Sequence, residues 1–269
     1  MNATTSYDNA NRAPQPDGIK VVVAAHKPYW MPSDPMYLPV QAGATGKASI
    51  EGFQRDDEGD NISAKNPYYC ELTALYWAWK NADDDHIGLV HYRRHFKGAG
   101  ERGTLTGEEA ARLLVQAPVI VPKKRNYFIE TVGSHYGHTF SPEHIEALRA
   151  AMAAQTPDHL ETFDANMEKT TAHMFNMLVM RKDILDAYLT WLLPILQRTE
   201  EALDVANLTA FHARAIGRLS ELMLDTWLDV TGVPYVEVPV QNMERTNWLK
   251  KGSSFLAAKF AGKKYEESF

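Results

Sequence analysis

Short apolar runs alternate with longer segments of helical periodicity along most of the chain. The first run, residues 19–25, is continuous and rich in β-branched residues, which is typical of a strand buried on both faces of a parallel sheet. Four further runs predict strands at residues 87–92, 117–122, 175–180 and 234–240.

Helical spacing separates these runs. In residues 66–81, Leu72, Leu75 and Trp79 recur at helical intervals, and Pro67 suits the first turn. Residues 106–116 begin with a Thr-Gly-Glu-Glu capping pattern. Further helices are predicted at 142–154, 158–167, 182–197 and 213–231. Strands that alternate with helices predict an α/β domain with a mostly parallel central sheet flanked by helices.

Three stretches lack this alternation. Residues 1–18 are rich in Asn, Pro, Asp and Thr and predict a disordered leader. Residues 29–63 carry Pro, Gly and acids without a clear period, so we expect a long loop of the kind that is usually functional. Residues 19–247 then form the single domain, and residues 248–269 form a basic amphipathic tail that suits an anionic membrane or a solvated helix.

Composition narrows the function classes. The chain has 28 basic and 34 acidic residues and a formal net charge of −6, which argues against nucleic acid as a partner. The longest apolar stretch, 184–196, is interrupted by Asp186 and Pro194 and is too short to span a bilayer. One cysteine excludes an internal disulfide, and no secretory signal is visible. We therefore expect a cytoplasmic location.

Two of the predicted strands have unusually polar ends. The candidate residues there are Ala24, His26 and Lys27 at the end of the first strand, and His91, Arg93 and Arg94 at the end of the second. Ligands of open α/β sheets bind beyond the carboxyl ends of strands. Two adjacent arginines suit a phosphate or diphosphate, because guanidinium forks match its oxygens. The alternative is a solvated pair, or ion pairs with the acids at 83–85.

A second candidate anion site lies just before the helix at 66–81. Asp60, Asn61 and Ser63 are residues that cap helices and leave backbone N–H groups open to an anion, and Lys65 adds a positive charge. From the sequence alone, a plain helix cap is the favoured interpretation of this segment.

Acids and histidines supply the candidates for proton transfer and metal binding. Glu221 lies among apolar residues and suits a general base with a raised pKa, although a pair with Arg218 is geometrically easier. His135 and His138 have a zinc-compatible spacing, yet the glycines at 133 and 137 predict a loop and no acid completes a zinc site. We predict no metal site.

Several of these segments together resemble a known family. They are IKVVVAAHKPY, YLPVQAGA, GDNISAKNPYYCELTALYWAWKN, IGLVHYRRHF, SHYGH, HMFNMLVMRKDILDAYLTWL and RAIGRLSELMLDTWL. They resemble a bacterial capsular and exopolysaccharide biosynthesis family, long catalogued as a domain of unknown function and now regarded as glycosyltransferases. The resemblance runs from residue 19 to about 240, and the block 59–81 with the HYRR strand end is its most specific part.

The resemblance implies a single GT-A-like domain that takes a sugar from a nucleotide donor. It favours galactofuranose transfer from UDP-galactofuranose, with inversion, onto a glycan or lipid-linked acceptor in surface polysaccharide synthesis. Two alternatives stay open: a transferase for another UDP-hexose, such as UDP-galactopyranose or UDP-glucose, and a nucleotide- or sugar-binding protein without turnover. The basic tail would bring the enzyme to the inner face of the membrane.

The resemblance also implies residue roles. His26 and Lys27 would lie near the nucleotide, with the residues of segment 59–66 nearby. Glu221 is the first choice for the base that deprotonates the acceptor, and Asp60 is the alternative. The candidates for acceptor or sugar contacts are His135, Tyr136, His173 and Asn176.

One departure from most GT-A enzymes concerns the metal. Those enzymes hold a divalent ion with an Asp-x-Asp at a strand end, whereas here the acids at 83–85 precede the strand. His91, Arg93 and Arg94 occupy the plausible position instead. We expect cationic side chains to take the place of the metal, so that no cofactor is required, although His91 leaves Mn²⁺ binding open.

Overall fold

A computed structural model describes residues 14–244. Pro16–Gly18 forms a 3-10 turn immediately before the first strand. The predicted leader lies mostly outside the described residues, and the predicted basic tail lies entirely outside them.

The part of the chain that the structure describes forms a nine-stranded sheet and a separate two-stranded one. The strands are β1 (Ile19–Ala25), β2 (Tyr37–Gln41), β3 (Gln54–Arg55), β4 (His86–His91), β5 (Arg94–Phe96), β6 (Val119–Pro122), β7 (Arg125–Asn126), β8 (Thr171–Ala172), β9 (Leu178–Arg181), β10 (Val236–Val238) and β11 (Val240–Asn242). The main sheet has the order β3-β2-β1-β4-β9-β6-β10, with β5 and β11 attached beside β4, while β7 pairs with β8. The α/β fold class is confirmed.

The strand order creates a switch point between β1 and β4. The chain leaves β1 toward β2 and β3 on one side, then returns to β4 on the other. β1, β2, β3 and β4 are parallel, and β9 runs antiparallel to both β4 and β6. The carboxyl ends of β1, β4 and β6 therefore lie at the same edge of the sheet, where α/β folds bind their ligands.

Helices cover both faces of the sheet. They are α1 (Asn66–Tyr69), α2 (Leu72–Asn81), α3 (Gly107–Gln116), α4 (Val132–Thr139), α5 (Pro142–Gln155), α6 (Leu160–Met167), α7 (Lys182–Leu203), α8 (Ala210–Ala213), α9 (Ala215–Ser220) and α10 (Leu224–Thr231). Alternate residues of β1 pack into two hydrophobic cores. Val22 packs with the layer of α2 and α7, and Val23 packs with the layer of α3. This alternation explains why β1 is apolar throughout.

Several predicted elements differ from the structure. The segment 29–63 is not one loop, because it contains β2 and β3; Pro39 and the half-buried Leu38 interrupt the apolar pattern of β2. The helix predicted at 66–81 is two helices, broken at Cys70, whose φ is 53°. The segment 133–137 is not a loop but part of α4, which begins with a capping box between Thr131 and Ser134.

The predicted helix at 213–231 is also divided, into α9 and α10, and Glu221 lies at the break rather than inside a helix. At Cys70, where the chain breaks between α1 and α2, α9 packs closely against it. A Cβ placed on Gly217 would lie 2.9 Å from the Cβ of Cys70, so only glycine lets α9 approach Cys70 this closely.

A buried carboxylate organises the segment after β2. Asp56 is 0% exposed and accepts hydrogen bonds from the backbone N–H groups of Gly43 (2.7 Å) and Ala44 (2.9 Å). It also accepts from the hydroxyls of Ser63 (2.5 Å) and Thr73 (2.7 Å). These four donors tie β2, the 59–66 segment and α2 together, which fixes the wall of the sheet edge beside β1.

The polar end of β4 turns back into β5, and we call residues 91–96 the arginine hairpin. His91 pairs with Arg94 across the turn. β11 pairs antiparallel with β5, and the backbone N–H of Met243 donates to the carbonyl of Arg93 at 2.9 Å. The hairpin is therefore held from both sides by strand pairing.

Candidate active site

A cleft of about 500 Å³ opens at the switch point, beyond the carboxyl ends of β1 and β4. Its walls come from segments that are far apart in the chain. They are Ala24, Ala25, His26, Ala42, Lys47, Asn66, Pro67, Cys70, Glu71, His91, Tyr92, Arg93, Arg94, Phe175, Ala210, Arg214 and Glu221. A cleft of this size and place suits a small polar ligand.

Cations dominate one side of the cleft. Arg93 and Arg94 come from the arginine hairpin, Lys47 from the loop after β2, and Arg214 from the residue before α9. The guanidinium of Arg94 lies 4.7 Å from the Phe175 ring centre, within the range of a cation–π contact. Four cations converging on one cleft form a site for a multiply charged anion such as a diphosphate.

Two carboxylates face these cations. Glu221 accepts a hydrogen bond from the backbone N–H of Phe175 at 2.7 Å, and Glu71 accepts one from Asn176 Nδ2 at 2.8 Å. Burial, reinforced by the negative charge of Glu71, raises the pKa of Glu221 to about 7. Glu221 can therefore exchange a proton near neutral pH, as a general acid or base must.

His91 connects the hairpin to this acidic pair. Its Nε2 lies 2.5 Å from the Phe175 carbonyl oxygen and 3.8 Å from a Glu71 carboxylate oxygen. Because a carbonyl only accepts, Nε2 carries the hydrogen in this bond. Burial lowers the pKa of His91, so the neutral ring is the main form at pH 7. The ring holds the Phe175 backbone beside Glu221.

Unusual backbone geometry surrounds the acidic pair. Cys70, Phe175 and Asn176 have φ values of 53°, 79° and 53°, a region that residues other than glycine rarely adopt. Asn176 is held there by donating to Glu71 and to the Gly217 carbonyl, while its own oxygen accepts from the Ser220 hydroxyl at 2.8 Å. Such strain is characteristic of functional sites.

The strand-end residues singled out from the sequence lie at or beside the cleft. Ala24, His26, His91, Arg93 and Arg94 line it, as does Glu221. Burial, with the charges of Lys27 and Arg93, lowers the pKa of His26. Lys27 is not among the lining residues; its ammonium lies 5.7 Å from the centre of the Tyr92 ring.

The structure does not bring the 59–66 candidates to the cleft. Asp60 is exposed and accepts a hydrogen bond from the Tyr76 hydroxyl at 3.1 Å, and Asn61 donates to the Gly59 carbonyl. Ser63 donates to Asp56, and Lys65 forms an ion pair with Glu200 at 2.7 Å. These contacts build the wall, and Asn66 and Pro67 are the part of the segment that reaches the cleft.

The four residues predicted to contact an acceptor have different surroundings. His135 lies 2.9 Å from Glu130, and the buried Tyr136 hydroxyl lies 3.3 Å from His144. The buried His173 lies between Asp225, at 2.5 Å, and Glu237, at 3.0 Å. None of these three lines the cleft. Asn176 supports the cleft carboxylate Glu71 from behind.

Two cationic wall residues, Lys47 and Arg214, were not predicted as ligand contacts. Lys47 lies in a segment of Gly, Ala and Thr with no recognisable phosphate-loop spacing. The Nε of Arg214 lies 3.4 Å from the Cys70 sulfur.

The acids at 83–85 lie away from the cleft. Asp84 pairs with Lys20 and Asp83 with Lys182, at the amino end of β4 and hence at the opposite edge of the sheet. At the carboxyl end of β4, Arg93 and Arg94 enter the cleft opposite Glu71 and Glu221. Among residues 14–244, no three His, Cys, Asp or Glu side chains are grouped so as to hold a metal ion.

Comparison with known proteins identifies the family. A family model described as "Domain of unknown function (DUF4422)" matches residues 20–232. The chain belongs to this family. The DUF4422 domain is similar to a solved structure titled WbbM bifunctional glycosyltransferase, in its apo form, with 27% sequence identity and a TM-score of 0.76. The likeness covers 84% of this chain and 45% of that chain.

The mostly parallel α/β domain of the DUF4422 protein has the fold of a glycosyltransferase, and it spans less than half the length of WbbM. A comparison with curated proteins finds no match. The capsular and galactofuranosyl features of the resemblance stay predictions. Within the described residues, no helix combines the length and apolarity that a membrane crossing needs.

Proposed function

We propose that this protein is an inverting glycosyltransferase whose sugar-nucleotide donor binds in the cleft at the switch point. The observation that carries the proposal is the meeting of two features in one cleft. Cations for a diphosphate come from the arginine hairpin and from Arg214, and a carboxylate with a pKa of about 7, Glu221, stands opposite. The similarity to a glycosyltransferase supports the same conclusion.

In this proposal the cations stabilise the leaving group, which is the nucleoside diphosphate. As the bond between the sugar and the diphosphate breaks, its electron pair and negative charge pass to the nucleoside diphosphate. Arg93, Arg94 and Arg214 are placed to hold that charge from the start, so little reorganisation is needed in the transition state. In this proposal these side chains, with Lys47, do the work that a divalent metal does in other sugar-nucleotide enzymes.

In this proposal Glu221 is the base that activates the nucleophile, which is a hydroxyl group of the acceptor. The acceptor hydroxyl oxygen forms a bond to the anomeric carbon from the face opposite the diphosphate, and its proton passes to the Glu221 carboxylate. One bond forms, one breaks, and the configuration inverts. The hydrogen bond from the Phe175 N–H at 2.7 Å fixes one carboxylate oxygen and leaves the other for the proton.

The donor in this proposal is UDP-galactofuranose, and the product is a surface polysaccharide made at the cytoplasmic face of the membrane, with residues 248–269 in contact with the lipid. The family resemblance supports the donor and the product, and the basic amphipathic sequence of residues 248–269 supports the membrane contact. Another UDP-hexose is the alternative donor within the same mechanism. Product linkage analysis with UDP-galactofuranose, UDP-galactopyranose and UDP-glucose distinguishes the donors.

A thermal-shift panel tests donor binding and the metal question together. UDP, GDP, CMP and the UDP-sugars are each added with manganese and with EDTA. A ligand at about 100 times its dissociation constant adds about 2.7 kcal/mol of stability. We expect a shift selective for UDP that survives EDTA. A shift seen only with manganese would disprove the cationic clamp, and the absence of any shift would favour a protein without turnover.

A matched pair of variants tests the clamp residue by residue. Arg94→Gln removes a guanidinium from the cleft, and we expect UDP affinity to fall about 10–100-fold, as for loss of a charge-assisted hydrogen bond. Arg149→Gln is the control, because Arg149 forms an ion pair with Asp164 at 2.7 Å on α5 and α6, outside the cleft. Equal UDP affinity in the two variants would contradict the assignment of Arg94.

A further inference from the structure

Two apolar side chains project from the loop that follows β7. Phe128 is 80% exposed and Ile129 is 66% exposed, whereas large apolar residues elsewhere in the described chain are mostly buried. We call residues 123–129 the apolar tip. Adjacent exposed residues of this size are costly in water, so their exposure indicates a binding surface.

Several contacts hold the apolar tip in this conformation. Phe128 has a φ of 60°, which is rare for an aromatic residue, and its N–H donates to Asn126 Oδ1 at 2.7 Å. Buried Tyr127 anchors the base through a hydrogen bond from its N–H to the Thr170 carbonyl at 2.8 Å. The backbone is therefore strained at the point where the Phe128 and Ile129 side chains face outward.

Exposed charge on the tip is positive. Lys123 and Arg125 are exposed. Lys124 instead turns inward to Asp225, at 3.3 Å. The next acid along the chain, Glu130, has a side chain only 7% exposed, and both its oxygens contact histidines. This local positive charge contrasts with the formal net charge of −6 for the whole chain.

The tip lies at the same edge of the sheet as the cleft. It follows β6, which runs parallel to β4 because both are antiparallel to β9. The charge of Arg125 also reaches Glu221 and Arg94 in the cleft, in agreement with this shared edge. A surface bound by the tip would therefore lie at the edge of the sheet where the cleft opens.

We propose that the apolar tip inserts Phe128 and Ile129 into an anionic lipid bilayer, with Lys123 and Arg125 at the headgroups. Apolar residues flanked by cations match the two layers of a membrane interface. A protein partner suits the tip less well, because a stable protein interface buries about 800 Å² on each side, far more than two side chains offer. This proposal concerns a surface and does not depend on the glycosyl transfer reaction.

Vesicle sedimentation of the full chain tests the tip. We compare vesicles of phosphatidylcholine with vesicles containing 30% phosphatidylglycerol, for wild type and the double variant Phe128→Ser, Ile129→Ser. We expect binding to the anionic vesicles and at least about a tenfold loss in the variant. The control is Val115→Ser, which removes an apolar side chain that is 67% exposed at the end of α3. A thermal melt checks that each variant is folded.

Insertion itself has a second readout. Phe128→Trp places an indole at the tip, and quenching by lipids brominated in the acyl chain reports its depth. We expect this variant to be quenched more than wild type, whose six tryptophans supply the background. Equal quenching, or binding of the double serine variant equal to that of Val115→Ser, would overturn the proposal even if the chain reached the membrane through residues 248–269.

Discussion

Glu221→Gln is the most informative single change, because its effects on catalysis and on stability have opposite signs. Glutamine has the same shape and keeps an oxygen that can accept the hydrogen bond from the Phe175 N–H, which is 2.7 Å long in the wild type. It cannot take a proton from the acceptor hydroxyl. We expect kcat to fall at least about 100-fold, the usual loss when a general base is removed, while UDP affinity stays within a few-fold of wild type.

The stability effect follows from the raised pKa of Glu221. The unfolded chain ionises this carboxyl with a pKa of 4.5, and the folded chain with a pKa of about 7. Between these values unfolding releases a proton, so the wild type loses stability as the pH rises from 4.5 to 7. At about 1.4 kcal/mol per unit, the shift of Glu221 corresponds to a loss of up to about 3 kcal/mol above pH 7.

Glu221→Gln removes this loss, because glutamine does not titrate. The difference in unfolding free energy between variant and wild type should therefore grow in favour of the variant from pH 4.5 to 8. Urea titrations at four pH values measure it, with Glu143→Gln as a control that neutralises an exposed acid on α5. A difference that stays constant with pH would refute the raised pKa, and full turnover in the variant would refute the role as base.

Three further changes test the surroundings. Glu71→Gln removes the like charge beside Glu221, so the pH–rate profile should shift its acidic limb to lower pH; an unmoved limb would show that burial alone raises the Glu221 pKa. Asp56→Ala leaves four donors without their acceptor and should cost at least about 3 kcal/mol in urea unfolding; an unchanged unfolding free energy would contradict the role of Asp56. Thr106→Ala breaks the capping box of α3 and should cost about 1 kcal/mol, seen as a melting point about 2–4 °C lower with unchanged turnover; an equal melting point would contradict the cap.

The sequence predicted correctly those elements that are stabilised by residues close to one another in the chain. β1 was predicted with its observed bounds because an unbroken β-branched run needs no tertiary context. The cap of α3 was equally visible, since Thr106 and Glu109 satisfy each other within one turn. The polar strand ends pointed to the cleft because strand direction determines where side chains after β1 and β4 must lie.

Elements shaped by distant contacts were not predictable in this way. The break at Cys70 depends on the approach of Gly217, almost 150 residues later in the chain. β2 is a strand because it pairs with β1, despite Pro39. Lys47 and Arg214 are brought to the cleft by contacts between segments far apart in the chain. Ser63 turns instead toward the buried Asp56, and Asp60, Asn61 and Lys65 have partners outside the cleft.

The pairing of β11 with the arginine hairpin has a consequence for synthesis of the protein. The hairpin that presents Arg93 and Arg94 leaves the ribosome early, but Gln241 and Met243, which hold it, emerge about 150 residues later. Until then β5 is an exposed strand edge, open to pairing with other chains. The cleft is thus completed only late in translation. A ribosome-stalled chain ending before β10 should bind no nucleotide, and it should be an early client for chaperones.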